Sequence, residues 1–203
     1  PAIATDQLDE AARYVPLAYA TYEGSDIGNW KKIEEHKTES GLYAAVYENT
    51  VTVTQEKVLV FRGTDEKLLA LGGTTDNQDW FANIQNALNI IPVILSLRRL
   101  EDKKGEGPTR EQVESAVNDA KASVTQQYKD ALAYAKEIKD RYGKDLTTVT
   151  GHSLGGGLTQ YVCLELGLKG VTYNPADLGS GATLLAGKAP QDANVVNYFH
   201  KED

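Results

Sequence analysis

The chain has 203 residues, of which 41% are hydrophobic and 25% are charged, an ordinary composition for one globular domain with a well-buried core. Its 21 basic and 29 acidic residues give a formal net charge of -8 without a basic cluster, which argues against nucleic acid as a partner and predicts repulsion from strongly anionic membranes. No apolar stretch approaches the length of a membrane span, and the start at Pro1 lacks a signal-peptide pattern, so secretion is neither shown nor excluded.

The N-terminal part of the chain predicts one helix and two strands. Hydrophobic residues recur at helical spacing over residues 6–22, and Pro16 inside this pattern is expected to kink or split the helix. The polar stretch 30–39 is interpreted as a solvated connection. The aliphatic runs 42–47 and 57–61 predict neighbouring strands, and the second run is continuously apolar, as in a strand buried on both faces.

The middle of the chain carries more large apolar residues than an ordinary loop. Over residues 76–100 two interpretations remain open, a core helix interrupted at Pro92 or an amphipathic cover over an apolar site, and such stripes are more often core. A long helix follows, opened by a capping-box pattern at Thr109 and Gln112 and ended by Gly143. Because it leads into another strand-like run, it predicts the β-α-β order of a parallel sheet.

That run, residues 147–150, is followed at once by Gly151-His152-Ser153-Leu154-Gly155, the G-x-S-x-G pattern of a nucleophile elbow. A serine on a tight strand-to-helix turn has a strained backbone, and glycines two residues away on either side avoid collisions. The turn also aims a helix N-terminus at the hydroxyl, so backbone N–H groups can stabilise an oxyanion. A glycine-rich turn with an incidental serine fits the five letters equally well, but the strand before and the apolar helical pattern after them favour catalysis.

Beyond the elbow the sequence predicts a helix to residue 166, a buried strand over 170–173 and a last strand over 194–199. The single cysteine, Cys163, allows no disulfide within the chain and is expected to be a small core residue of that helix. Together the elements predict one α/β domain over residues 1–203, with a mostly parallel central sheet flanked by helices.

Three separated stretches resemble landmarks of the class 3, triacylglycerol-type, lipases and of the bacterial lipase-like phospholipase effectors related to them. These stretches are 58–64 (Val-Leu-Val-Phe-Arg-Gly-Thr), 149–156 (Val-Thr-Gly-His-Ser-Leu-Gly-Gly) and 195–203. The resemblance covers residues 42–203, and its specificity comes from Phe-Arg-Gly-Thr combined with the widely shared elbow. It implies an α/β-hydrolase-type sheet, incomplete at the C-terminus, and no metal or organic cofactor.

The resemblance also implies roles for individual residues. Ser153 matches the nucleophile, and the backbone N–H groups of Thr64 and Leu154 match the two donors of the oxyanion hole. The acid that closes the family's last strand matches Asp203. This position is physically sensible, because an acid beyond a strand's carboxyl end can reach a histidine above the sheet.

A lid is implied within residues 66–100, where Trp80, Phe81 and Ile84 follow the oxyanion residue as a tryptophan-bearing lid does in the family. These side chains would cover the site and open at a lipid surface. One family feature has no counterpart here, because residues 90–110 contain nothing similar to the Val-His-x-Gly-Phe-like strand that commonly precedes the long helix.

The base of the implied triad has no match, since the family places it well after the acid and this chain ends at Asp203. His36 lies in an early polar segment and is interpreted as a surface residue. His152 is expected to point away from Ser153 and to pack. His200 follows the last strand, but the family pattern gives it no base role. We therefore expect the base histidine to come from a second fragment or from a longer natural chain.

The sequence thus predicts a serine ester hydrolase that acts on lipid carboxylic esters, a lipase or a phospholipase, with transient contact to a lipid surface. A non-catalytic binding module on a hydrolase fold is the alternative that the missing base motivates. An antibacterial lipase toxin with a cognate inhibitor protein, delivered outside the producing cell, rests on family analogy alone. The choice among triglyceride, phospholipid and smaller esters depends on the shape of the pocket.

Overall fold

A computed structural model of the chain describes residues 5–23, 26–51, 53–63, 110–176 and 192–200. The expected oxyanion residue Thr64, the lid stretch 66–100 with Trp80, Phe81 and Ile84, and the expected acid Asp203 lie outside these ranges.

One mixed sheet runs through the described part of the chain, and its strands lie side by side in chain order. The strands are β1 (Trp30–Lys37), β2 (Tyr43–Asn49), β3 (Lys57–Phe61), β4 (Leu146–His152), β5 (Gly170–Tyr173) and β6 (Val195–Tyr198). Strands β1 to β3 pair antiparallel, and β3 to β6 pair parallel. The carboxyl ends of the four parallel strands therefore share one edge, which we call the carboxyl edge.

Helices cover both faces of this sheet. They are α1 (Thr5–Glu23), α2 (Arg110–Tyr142) and α3 (Leu154–Leu166), with a short 3-10 turn (Gly143–Asp145) between α2 and β4. Leu59 and Phe61 of β3 pack in the cluster that contains α2 and α3 residues, whereas Val58 and Val60 pack in the cluster that contains α1 residues. This alternation explains the continuous apolar run of β3, because successive side chains point to opposite faces. The predicted α/β-hydrolase-type fold class is confirmed.

From the sequence, Pro16 is expected to kink or split the first helix, and the split does not occur, because α1 continues through this residue as one helix. Proline removes one backbone hydrogen bond from a helix interior. Next to it, however, Leu17 and Ala18 are fully buried against the sheet, and Tyr14 is nearly so. Burial of these side chains is the term that offsets the cost of the proline.

The expected solvated connection over residues 30–39 is also wrong, because most of it forms β1. This strand pairs with β2 from Trp30 opposite Asn49 to Lys37 opposite Tyr43. Trp30 is buried. The polar residues of β1 are explained by the position of this strand at an edge of the described sheet, where one face of an antiparallel strand can remain exposed to solvent. His36 is half-buried rather than a free surface residue.

A buried carboxylate ties α1 to the amino ends of β3 and β4. Glu56 is 6% exposed, pairs with Arg13 and accepts hydrogen bonds from Tyr14 Oη at 3.1 Å and Thr147 Oγ1 at 3.0 Å. A buried charge is tolerated when it is paired and hydrogen-bonded in this way. These contacts fix the middle of α1 at the amino ends of β3 and β4.

Candidate active site at the carboxyl edge

Ser153 lies between β4 and α3 with φ 56° and ψ -123°. Residues other than glycine adopt this region of backbone space at a cost on the order of 1–3 kcal/mol, and such strain persists where the surrounding structure enforces it. The Ser153 backbone therefore has the strained strand-to-helix geometry that the G-x-S-x-G pattern predicts.

The two glycines of the pattern sit where no side chain fits. A Cβ on Gly151 would lie within 3.0 Å of the Gly155 carbonyl group, and a Cβ on Gly155 would lie within 3.0 Å of the Phe61 carbonyl group. The nearest atoms are thus those of the other glycine and of the end of β3, and not those of the serine as the sequence suggested. Because Gly151 and Gly155 have no side chains, the N-terminus of α3 can pack directly against the end of β3.

Backbone hydrogen bonds hold Ser153 in place from the β5 side. Its N–H donates to the Tyr173 carbonyl at 3.2 Å, and its carbonyl accepts from the N–H groups of Gly157 at 3.1 Å and Ala176 at 2.8 Å. The side chain is different, because the buried Oγ has no hydrogen-bond partner among the described residues. The Ser153 backbone is thus held by three hydrogen bonds, whereas its hydroxyl is bonded to no described residue.

The two expected oxyanion donors belong to the start of α3 and to the segment that follows β3. Leu154 is the first residue of α3, so its N–H is one of those that a helix leaves without an intrahelical acceptor. The end of β3 is held by Arg62, whose N–H donates to the Tyr43 carbonyl at 3.0 Å and whose guanidinium lies 4.6 Å from the centre of the Tyr43 ring. Thr64 follows two residues after Arg62, outside the described ranges.

The structure places two of the three histidines, His152 and His36, in stacking contacts with tyrosine rings. His152 is buried, and its ring stacks on Tyr19 of α1 with 4.7 Å between ring centres, which supports the expected packing role. His36 stacks on Tyr134 of α2 at 4.2 Å and lies three strands from β4. Neighbouring strands are about 4.8 Å apart, so roughly 14 Å separates β1 from β4. Neither ring is placed to act as the base of Ser153.

Burial lowers the pKa of His152 to about 4, against an ordinary value near 6.5. Between these two pKa values the imidazole is neutral in the folded chain and protonated in the unfolded chain. The contribution of His152 to the free energy of unfolding is therefore fully present above about pH 6.5 and is lost as the pH falls toward 4. A His152→Phe variant keeps an aromatic ring against Tyr19 but has no imidazole to protonate. As the pH falls, its free energy of unfolding is expected to decrease by roughly 3 kcal/mol less than that of the wild type. Urea unfolding at pH 7.5 and pH 4.5 measures the difference, and parallel pH slopes for the two proteins would contradict it.

The chain that leaves β6 is attached to the end of β5. Thr172 Oγ1 donates to Asn197 Oδ1 at 2.5 Å, and beyond the strands the Asn174 N–H donates to the Tyr198 carbonyl at 2.7 Å. The His200 N–H then donates to Asn174 Oδ1 at 2.7 Å. The sequence identified Asn174 only as the end of a strand; an Asn-Pro pair is a turn signal, and it gives no hint of this contact.

Comparison with known proteins found three similarities. The phospholipase-like family described as the Tle-like phospholipase domain matches residues 105–199. An extracellular phospholipase A1 of Serratia liquefaciens is 28% identical over 141 residues, which are 70% of this chain and 29% of that protein. A solved structure titled Rhizomucor miehei lipase propeptide complex, native, covers 86% of this chain and 55% of its own, with 16% identity and a TM-score of 0.47.

The chain therefore spans less than a third of the length of its phospholipase relative. The domain match and the relative support a lipase or phospholipase family for this chain and do not single out the class 3 lipases. In the described ranges no helix is long and apolar enough to cross a membrane. The same residues contain no group of three or more histidine, cysteine, aspartate or glutamate side chains that could hold a metal ion.

Proposed function

We propose that this chain is the catalytic core of a serine hydrolase that cleaves carboxylic esters of phospholipids, with Ser153 as the nucleophile. The observation that carries the proposal is the strained Ser153 backbone at the end of a parallel strand, with a buried and uncommitted Oγ. The phospholipase-like domain match and the Serratia phospholipase relative favour lipid esters as the substrate class.

In this mechanism Ser153 Oγ attacks the acyl carbonyl carbon, and a histidine takes the hydroxyl proton. The carbonyl oxygen becomes an oxyanion that accepts hydrogen bonds from the N–H groups of Leu154 and Thr64. When the tetrahedral intermediate collapses, the ester C–O bond breaks and the leaving alcohol takes the proton from the histidine. Water, deprotonated by the same histidine, then hydrolyses the acyl-enzyme and frees the fatty acid.

Asp203 is the acid that orients this histidine. The backbone at His200 is fixed beside β5, and three further residues span at most about 10 Å. An acid three residues beyond His200 can therefore reach the carboxyl edge, which is why we assign this role to Asp203. Strand β6 pairs with β5 alone among the described strands, so its other edge is free in the described sheet to receive the segment that carries the base.

The base histidine is supplied from outside these residues, either by a further segment of the full-length protein or by a second fragment. The lid comprises residues 66–100, and Trp80, Phe81 and Ile84 contact the lipid surface when it opens. The relative is named an extracellular enzyme, which favours action outside the producing cell.

A fluorophosphonate probe tests the proposal, because it reacts with an activated serine. The full-length protein is incubated with the probe, digested and analysed by mass spectrometry, and fatty acid release from zwitterionic phosphatidylcholine vesicles is followed in parallel. We expect the adduct on Ser153, with turnover that stops as labelling proceeds. An adduct on another residue, or turnover that survives complete labelling, would exclude Ser153 as the nucleophile.

A binding module on a hydrolase fold is the second candidate, favoured by an Oγ that has no base among the described residues. A protein of this kind would bind the same vesicles without releasing fatty acid at any pH from 5 to 9, a range chosen to bracket histidine titration. Vesicle binding without labelling or turnover selects this function over the first.

A further inference from the structure

Ser153 and the chain beyond β6 are joined through the short turn that follows β5. Ser153 bonds to Tyr173 through its N–H and to Ala176 through its carbonyl. The two residues between these anchors, Asn174 and Pro175, are therefore fixed relative to the nucleophile. A Cβ on Gly156 would come within 3.0 Å of Pro175, so this turn also packs directly on the start of α3.

Asn174 contacts β6 from this fixed position with both its backbone and its side chain. Its N–H donates to the Tyr198 carbonyl, and its Oδ1 accepts the His200 N–H, each at 2.7 Å. These two bonds hold the last residue of β6 and the residue two positions beyond it. The direction in which the chain leaves β6 is thus set from the turn that also holds Ser153.

The requirements at this position select the residue type. Asn174 has φ 41°, in the left-handed region that glycine, asparagine and aspartate tolerate best. A side-chain oxygen must also accept a backbone N–H, and glycine has none. Asparagine and aspartate meet both conditions, whereas glycine meets only the first.

We propose that Asn174 is a positioning residue that fixes the backbone at His200, three residues before the proposed acid, relative to Ser153. The inference rests on the proposed function, with Asp203 as the acid. Asn174 acts through the backbone at His200, which begins the segment that ends at Asp203, and does not touch the reacting atoms. If its side-chain bond is lost, the carboxylate can move away from the histidine, which is then less well oriented and less basic.

Three variants of the full-length protein test this role. Asn174→Gly keeps the backbone conformation and removes the acceptor, whereas Asn174→Asp keeps both. Thr172→Val is the matched control. It removes the side-chain hydrogen bond from Thr172 to Asn197, which joins β5 to β6 within the strands and not beyond their ends. For each variant kcat and KM on phospholipid vesicles, the pH profile of kcat/KM and the thermal midpoint are measured.

We expect Asn174→Gly to lower kcat about tenfold, the rate effect that corresponds to the net free energy of one hydrogen bond, with KM unchanged. Its acid limb of kcat/KM is expected to move to lower pH, since a carboxylate near a histidine raises the pKa of that histidine. Asn174→Asp should restore kcat. Thr172→Val should lower the thermal midpoint by a similar amount to Asn174→Gly and leave kcat and the pH profile unchanged.

Equal kcat and pH profiles in Asn174→Gly and Thr172→Val would overturn the inference, as would a failure of Asn174→Asp to restore kcat. Asp203→Asn separates this outcome from a failure of the proposed function. A large loss of kcat in Asp203→Asn with an unchanged Asn174→Gly overturns the positioning role and leaves the acid assignment standing. Full activity in Asp203→Asn overturns the acid assignment, and the positioning role falls with it.

Discussion

Replacing Ser153 with alanine in the full-length protein is expected to lower kcat for phospholipid ester hydrolysis by on the order of 10⁶-fold, as loss of a triad serine does. The residual rate would come from binding and from the oxyanion hole. Stability should change little, because the Oγ has no hydrogen-bond partner in the described residues and its removal leaves no described group unsatisfied.

Ser40→Ala provides a matched contrast in the turn between β1 and β2. The Ser40 hydroxyl donates to Asp130 Oδ2 at 2.6 Å and contacts Thr38 at 2.7 Å, so its loss is expected to cost about 1 kcal/mol of unfolding free energy and no kcat. Fatty acid release and urea unfolding of both variants give the comparison. Retained turnover in Ser153→Ala would end the nucleophile assignment, and a collapse of its stability would make a loss of turnover uninformative about chemistry.

Local patterns in the sequence were sufficient for most of the sheet. Buried strands such as β3 are continuous apolar runs, and β5 is a short apolar run bounded by turn residues, so their positions follow from composition. β1 could not be recognised this way, because the residues that make it a strand are its partners on β2, from Asn49 to Tyr43. The split expected at Pro16 does not occur for a similar reason, since the burial of Leu17 outweighs the low preference of proline for a helix interior.

The candidate site likewise combines features that local sequence patterns predict with contacts that they do not predict. The elbow is a local device, so the strained conformation of Ser153 could be predicted from the flanking glycines and the adjacent strand. Other contacts join distant residues: Asn174 bonds to His200, 26 positions along the chain, and His36 of β1 stacks on Tyr134 of α2. Nothing in the sequence near either residue marks such a contact, which depends on the register of the folded strands.

A methyl group at Gly155 is expected to damage both stability and chemistry. In Gly155→Ala the added Cβ would lie within 3.0 Å of the Phe61 carbonyl group and of the Arg62 carbonyl carbon. These are backbone atoms, so no side chain can rotate away, and α3 must move from the end of β3. Overpacking of this kind costs about 3 kcal/mol. The same shift moves the Leu154 N–H relative to Ser153 Oγ, and a displacement of about 1 Å at such a site costs on the order of 10²-fold in kcat.

Gly167→Ala separates the effect of space from that of backbone conformation. Gly167 ends α3 with φ 65° and has nothing within 4 Å of an added Cβ, so alanine there costs roughly 1–2 kcal/mol of backbone strain and should leave kcat unchanged. Urea unfolding and kcat of the two variants are compared at one pH. If Gly155→Ala proves no less stable than Gly167→Ala and equally active, close contact between α3 and the end of β3 is not what positions the oxyanion donors. If Gly155→Ala alone loses turnover while both variants remain folded, the contact between Gly155 and Phe61 sets the geometry of the elbow.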